Sequence, residues 1–66
     1  MPPKPGIIDA WTLRRVYDGV AVIEGRLGQI EVEPGDMIRG VGRVQDIRRQ
    51  DGRWVVVTSR GLIVSR

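Results

Sequence analysis

Two Asp-Gly dipeptides, Asp18-Gly19 and Asp51-Gly52, most constrain what this chain can fold into. Each sits between runs rich in β-branched and aromatic residues. Only a few residue types tolerate positive φ at both centres of a two-residue turn, so Asp-Gly in this setting signals a β-hairpin. The residues around the turns agree. Ten Val and seven Ile stand against three Leu and two Ala, a balance suited to pleated sheets rather than helices. Nine Gly and four Pro break the chain at short intervals, and no window carries a helical period over a useful length.

The strands follow from these turns. Trp11–Tyr17 alternates imperfectly and ends at the first Asp-Gly. Val20–Glu24 is apolar on both faces and reads as a central strand. Gly25-Arg-Leu-Gly28 turns the chain, and Gln29–Glu33 alternates, with Ile30 and Val32 directed to the core and Glu31 and Glu33 to water. Glu33-Pro-Gly-Asp36 fits a type II turn, with Gly35 at its third position. Met37 and Ile38 return apolar surface to the core, and Gly40-Val-Gly42 suits a bulge or sharp bend. In the strand Arg43–Arg48, Val44 and Ile47 are three apart. A bulge near Gln45-Asp46 restores the period; a short helical turn also fits. The second Asp-Gly leads into Arg53–Thr58, with Trp54, Val56 and Thr58 on one face and Val55 and Val57 on the other. Ser59-Arg60-Gly61 turns into a last strand at Leu62–Val64. The expected fold is all-β: a small six-stranded antiparallel barrel or sandwich, SH3-like or similar, with little or no helix.

Residues 1–8 begin Met-Pro-Pro-Lys-Pro-Gly and read as a Pro-rich linker or tail, leaving residues 9–66 as a single β domain. Such a start suggests a C-terminal domain cut from a longer chain; a natural short protein with a frayed N-terminus is the alternative. The longest apolar runs are Val20–Ile23 and Trp54–Val57, too short for a spanning helix or a signal-peptide core.

With no Cys and no His, thiolate zinc sites and Ser-His-Asp or Cys-His catalysis are excluded. Glu31 and Glu33 share a strand face, which for a strand this short of any cleft reads as two solvated carboxylates. Asp18, Asp36 and Asp51 are turn residues; their spacing does not build a Ca²⁺ loop. The glycine pairs lack a phosphate-loop pattern. Neither cofactor nor metal is expected, and the chain reads as a non-enzyme.

Charge is the remaining signal. The net charge is +3. Residues 48–66 hold Arg48, Arg49, Arg53, Arg60 and Arg66 against Asp51 alone, so the positive charge gathers on the last hairpin. Arg48, Arg49, Arg53, Trp54 and Arg60 are therefore the candidate partner-binding residues. Trp and Arg are typical interface anchors. The same residues could contact phosphates while the indole stacks on a base. Against both stands a solvated hairpin whose arginines pair with Glu31 and Glu33, and a Trp54 and a Trp11 used for packing at the core edge.

The runs Gly19–Ile38, Gly42-Arg-Val-Gln-Asp-Ile47 and Gly52–Ser59 resemble the small periplasmic β domains of type IV pilus-assembly lipoproteins and of the inner-membrane clamp proteins of type II secretion. The matching positions are Gly35-Asp36, Gly42-Arg43-Val44, Ile47 and the hairpin at Asp51-Gly52, across residues 16–60. Arg48-Arg49 and the Trp54 strand depart from that pattern. The chain is also similar to C-terminal domains of uncharacterised single-pass membrane proteins of alphaproteobacteria. These resemblances imply a noncatalytic protein-protein interaction or assembly module, in the periplasm, at the end of a membrane-anchored envelope or secretion-type protein. Its partner would be another protein or a second copy. The alternatives are a small β-barrel that binds nucleic acid through the arginine-rich hairpin, and a cytoplasmic location.

Overall fold

The computed structural model describes residues 6–65. They form an all-β domain with seven strands: β1 (Thr12–Tyr17), β2 (Val20–Gly25), β3 (Gly28–Val32), β4 (Met37–Ile38), β5 (Gly42–Gln50), β6 (Arg53–Thr58) and β7 (Gly61–Val64). They make two antiparallel meanders, β1-β2-β3 and β4-β5-β6-β7. The strand beyond the expected six is β4, where Met37 and Ile38 pair with Arg43 and Gly42.

The turn chemistry acts as the sequence predicts. Asp18 and Gly19 take φ of 50° and 76°, and Asp51 and Gly52 take 54° and 80°. Positive φ at both centres gives a hairpin turn whose twist matches the flanking strands. At the 33–36 turn the Asp36 amide donates to the Glu33 carbonyl at 3.0 Å, and Gly35 has φ of 99°. The Asp36 carboxylate accepts from the Glu33 amide at 2.9 Å, closing the turn from the other side.

Two bulges repair the broken alternation. On β5, Val44 faces Thr58 and Asp46 faces Val57, so Gln45 is the extra residue. The bulge reading of residues 44–47 therefore holds over the helical one. On β1, Leu13 faces Ile23 and Arg15 faces Val22, so Arg14 bulges. That puts Leu13 and Val16 on the same face despite their spacing.

The core lies between the sheets. From β1, β2 and β3 come Leu13, Ala21, Ile23 and Val32; from β4, β5, β6 and β7 come Ile38, Val44, Val56 and Ile63, with Val41 from the loop. β1 is the strand of the first sheet that lies against β6 and β7. Coverage is uneven as a result. Ile30 was expected in the core, and its pairing with Ile23 puts it on the core-facing side. It is nevertheless 41% exposed, because it lies one step nearer the β2–β3 tip than Val32, which is buried on the same face of the same strand.

The N-terminal boundary also differs from expectation. Ile7 bridges Leu62 in parallel. The Ile8 amide donates to the Leu62 carbonyl at 2.7 Å, and the Leu62 amide donates to the Gly6 carbonyl at 2.9 Å. Gly6–Ile8 thus covers the free edge of β7 and belongs with the folded part, because an open edge offers hydrogen-bonding groups that a short strand can satisfy. The rest of the Pro-rich stretch, residues 1–5, lies outside the described residues.

Candidate functional site

The five candidate residues do not form one cluster. Strand β6 and its partner β5 divide them between two faces. Arg49 pairs with Trp54, and Trp54 shares its face with Val56, so both point to the core-facing side. The Arg49 guanidinium lies 5.7 Å from the centre of the Trp54 ring, and its Nη2 donates to the Gly52 carbonyl at 3.2 Å. Arg48 pairs with Val55, and Arg53 is two residues from Val55, so these two arginines occupy the outer face. Arg60 stands in the β6–β7 turn, six residues along from Trp54, or about 20 Å at strand rise. It is not part of the same surface. Arg66 lies outside the described residues.

The outer face of β6 and β7 departs from simple alternation. In register across the two strands lie Val55 with Val64 and Val57 with Leu62. Ile7 lies beside Leu62 and is half exposed. A sheet with one face on the core normally shows polar residues on the other. Here that second face is apolar, and Arg48 and Arg53 stand at its rim. Ile7, Val55, Leu62 and Val64 line a shallow hollow that continues to Arg53 and Trp54. Trp54 was expected at the core edge or in an interface; it lies on the core-facing side and is 40% exposed.

A second hollow joins Trp54 and Arg53 to Leu13, Arg14 and Arg15 of β1. Sequence reading missed these two arginines, because the charge count there was taken along the chain. Their signal was the irregular Arg-Arg in β1: the bulge at Arg14 turns both side chains outward beside the β5–β6 hairpin. Arg14 Nε lies 3.4 Å from Glu24 Oε1, and the Arg15 guanidinium lies 6.0 Å from the Tyr17 ring centre.

No ion pair joins the hairpin arginines to Glu31 or Glu33 among those the described residues show. Arg48 Nε lies 3.7 Å from Asp46 Oδ2 on its own strand. Glu31 accepts a hydrogen bond of 2.7 Å from the Tyr17 hydroxyl. The bond raises the Tyr17 pKa above its ordinary 10.0, with desolvation and the Glu31 charge acting the same way and Arg15 opposing. Tyr17 lies opposite Val20 and Glu31 opposite Val22, so their bridge crosses β2 diagonally on the outer face of the first sheet, where Val22 is buried.

These features define a small all-β domain with an arginine-rimmed apolar sheet face that turns a corner at a half-exposed tryptophan. No family model, curated protein or solved structure matches the chain.

Proposed function

We propose that this chain is a noncatalytic protein-binding module whose contact surface is the outer face of β6–β7. The supporting observation is the apolar row Val55, Val57, Leu62 and Val64 with Ile7 beside it, rimmed by Arg48 and Arg53 and ending at Trp54. Interface cores are depleted in charge and ringed by polar residues, and Trp and Arg carry much of their binding energy. Arg48 lies on the other face from Arg49, and Arg60 about 20 Å along from Trp54 at strand rise, so the hairpin arginines form no single row along a nucleic-acid backbone, which favours this reading over nucleic acid. A strand-binding groove needs its cations and stacking ring on one track. The partner is a protein with an apolar patch and carboxylates at its margin, and the compartment implied by the pilus-lipoprotein resemblance is the periplasm.

The test is site-specific photocrosslinking of the full chain in cells, with the reactive side chain at Arg53 or, as a control, at Glu33. One discrete protein adduct from position 53, absent from position 33 and lost in Trp54→Ala, is the expected result. Equal adducts from both positions would refute the assignment of the face. So would oligonucleotide binding that falls steeply with salt and depends on Arg48 and Arg53.

A further inference from the structure

The tip of the β2–β3 hairpin carries a second surface, and it shares no lining residue with the hollows at Trp54. Arg26 and Leu27 form the two-residue connection between Gly25 and Gly28. Leu27 is fully exposed. One exposed leucine is ordinary. This one has company. The Trp11 ring lies against Gly25 so closely that a Cβ there would be 2.9 Å from the indole. Ala10, Trp11, Gly25, Arg26 and Leu27 line one apolar hollow. Ile30 is exposed on the core-facing side of the same hairpin.

We infer that this tip is a docking site for an anionic lipid surface. Three features select that occupant. Leu27 is fully exposed at the apex of the hairpin, where a side chain can enter a bilayer interface with no packing to give up. The indole of Trp11 is half-buried against the protein, and an amphipathic ring of this kind is favoured at headgroup depth. Arg26 sits next to Leu27, where its guanidinium meets lipid phosphates as the leucine enters the acyl boundary. The chain's net charge of +3 adds a general attraction to an anionic leaflet.

The tryptophans allow a direct test. Trp54→Phe leaves Trp11 as the sole indole, and Trp11→Phe leaves Trp54. Both are mixed with vesicles of phosphatidylcholine alone or with phosphatidylglycerol added. The expected result is a blue shift of Trp11 emission, quenched by brominated acyl chains, with the mixed vesicles only. Leu27→Ser, at a position with no packing to lose, should weaken partitioning about tenfold or more. An unshifted Trp11, equal binding to neutral vesicles, or binding unchanged by Leu27→Ser would overturn the inference. A shift at Trp54 instead would assign membrane contact to the other surface. Concentration-dependent association without lipid, abolished by Leu27→Ser, would make a second copy the occupant and overturn it equally.

Discussion

Replacing Thr58 by Val tests whether one buried hydroxyl organises the β6–β7 turn. Thr58 is buried, and its Oγ1 has three partners. It donates to the Gly61 carbonyl at 2.8 Å and accepts from the Gly61 amide at 3.0 Å and the Arg60 amide at 3.2 Å. Valine matches the shape and removes all three. The Arg60 amide is only partly buried and can turn to water. The Gly61 groups are buried, and a buried polar group that loses its partner costs about 1–3 kcal/mol. The added methyl returns about 0.8 kcal/mol of apolar burial. Taking about 1.2–2 kcal/mol for each of the two Gly61 groups, within that range, and subtracting the gain leaves a net loss of about 1.5–3 kcal/mol. Domains of this length have only about 3–10 kcal/mol in total at typical values per residue. The loss would lower Tm by about 8–20 °C, at several degrees per kcal/mol for a small domain. Thr58→Ser keeps the hydroxyl and loses one methyl, costing about 1 kcal/mol. Denaturant titration followed by tryptophan fluorescence reads both. A Val variant within about 0.5 kcal/mol of the parent, the range of a neutral surface change, would refute the reasoning. A Ser variant as unstable as the Val one would refute it too.

Three further outcomes are expected. Gly61→Ala would drive a Cβ into the Gly6 carbonyl and to 3.0 Å from Ile8 Cδ1; it should detach Gly6–Ile8 from β7 and speed amide exchange at Ile8 and Leu62. Gly52→Ala leaves space around the new methyl but keeps φ at 80°, so it should cost about 1–2 kcal/mol from backbone strain alone, whereas Asp51→Asn should be close to neutral; thermal unfolding distinguishes them. In Glu31→Gln the Tyr17 phenol loses the carboxylate that raises its pKa, so the alkaline titration of its absorbance should move down toward 10.0. A raised phenol pKa stabilises the fold fully below the unfolded value and is lost as pH climbs through the folded one, so this bridge contributes at neutral pH and fades only in alkali.

The turns were the most legible part of the chain, because their chemistry is local. Asp18-Gly19, Asp51-Gly52 and Pro34-Gly35 name conformations that few other residues adopt, and the strands follow from where these sit. The bulge at Gln45 was half legible: a broken period within one strand admits either a bulge or a short helical turn, and pairing with β6 selects the bulge. What depends on the packing of one sheet on the other was not. Ile30 obeys the alternation of β3 and remains exposed, since alternation assigns a face and says nothing of whether another sheet reaches it. The charge concentration was real in sequence and misleading in space. Strand alternation parts Arg48 from Arg49 across a sheet, while the fold brings Arg14 and Arg15 to Trp54 from the far end of the chain.

The two tryptophans show what this packing leaves over. Trp54 precedes buried Val56 by two, on the same face of β6. Trp11 precedes buried Leu13 by two and lies over Gly25, two beyond buried Ile23. Each therefore extends a core row one step past the point where the opposing sheet ends. A 66-residue chain without Phe has few large side chains with which to close such ends, and an indole covers more apolar surface than any other residue while keeping a polar N–H for water. The same position that closes the core leaves part of a rigid ring exposed beside arginine: Arg49 and Arg53 at Trp54, Arg26 at Trp11. In so small a domain the residues that finish the core are also those left part-exposed, where the proposed contacts would fall. Truncating either tryptophan should therefore lower stability and binding together, and Trp→Phe, which keeps most of the packing, is the substitution that separates the two.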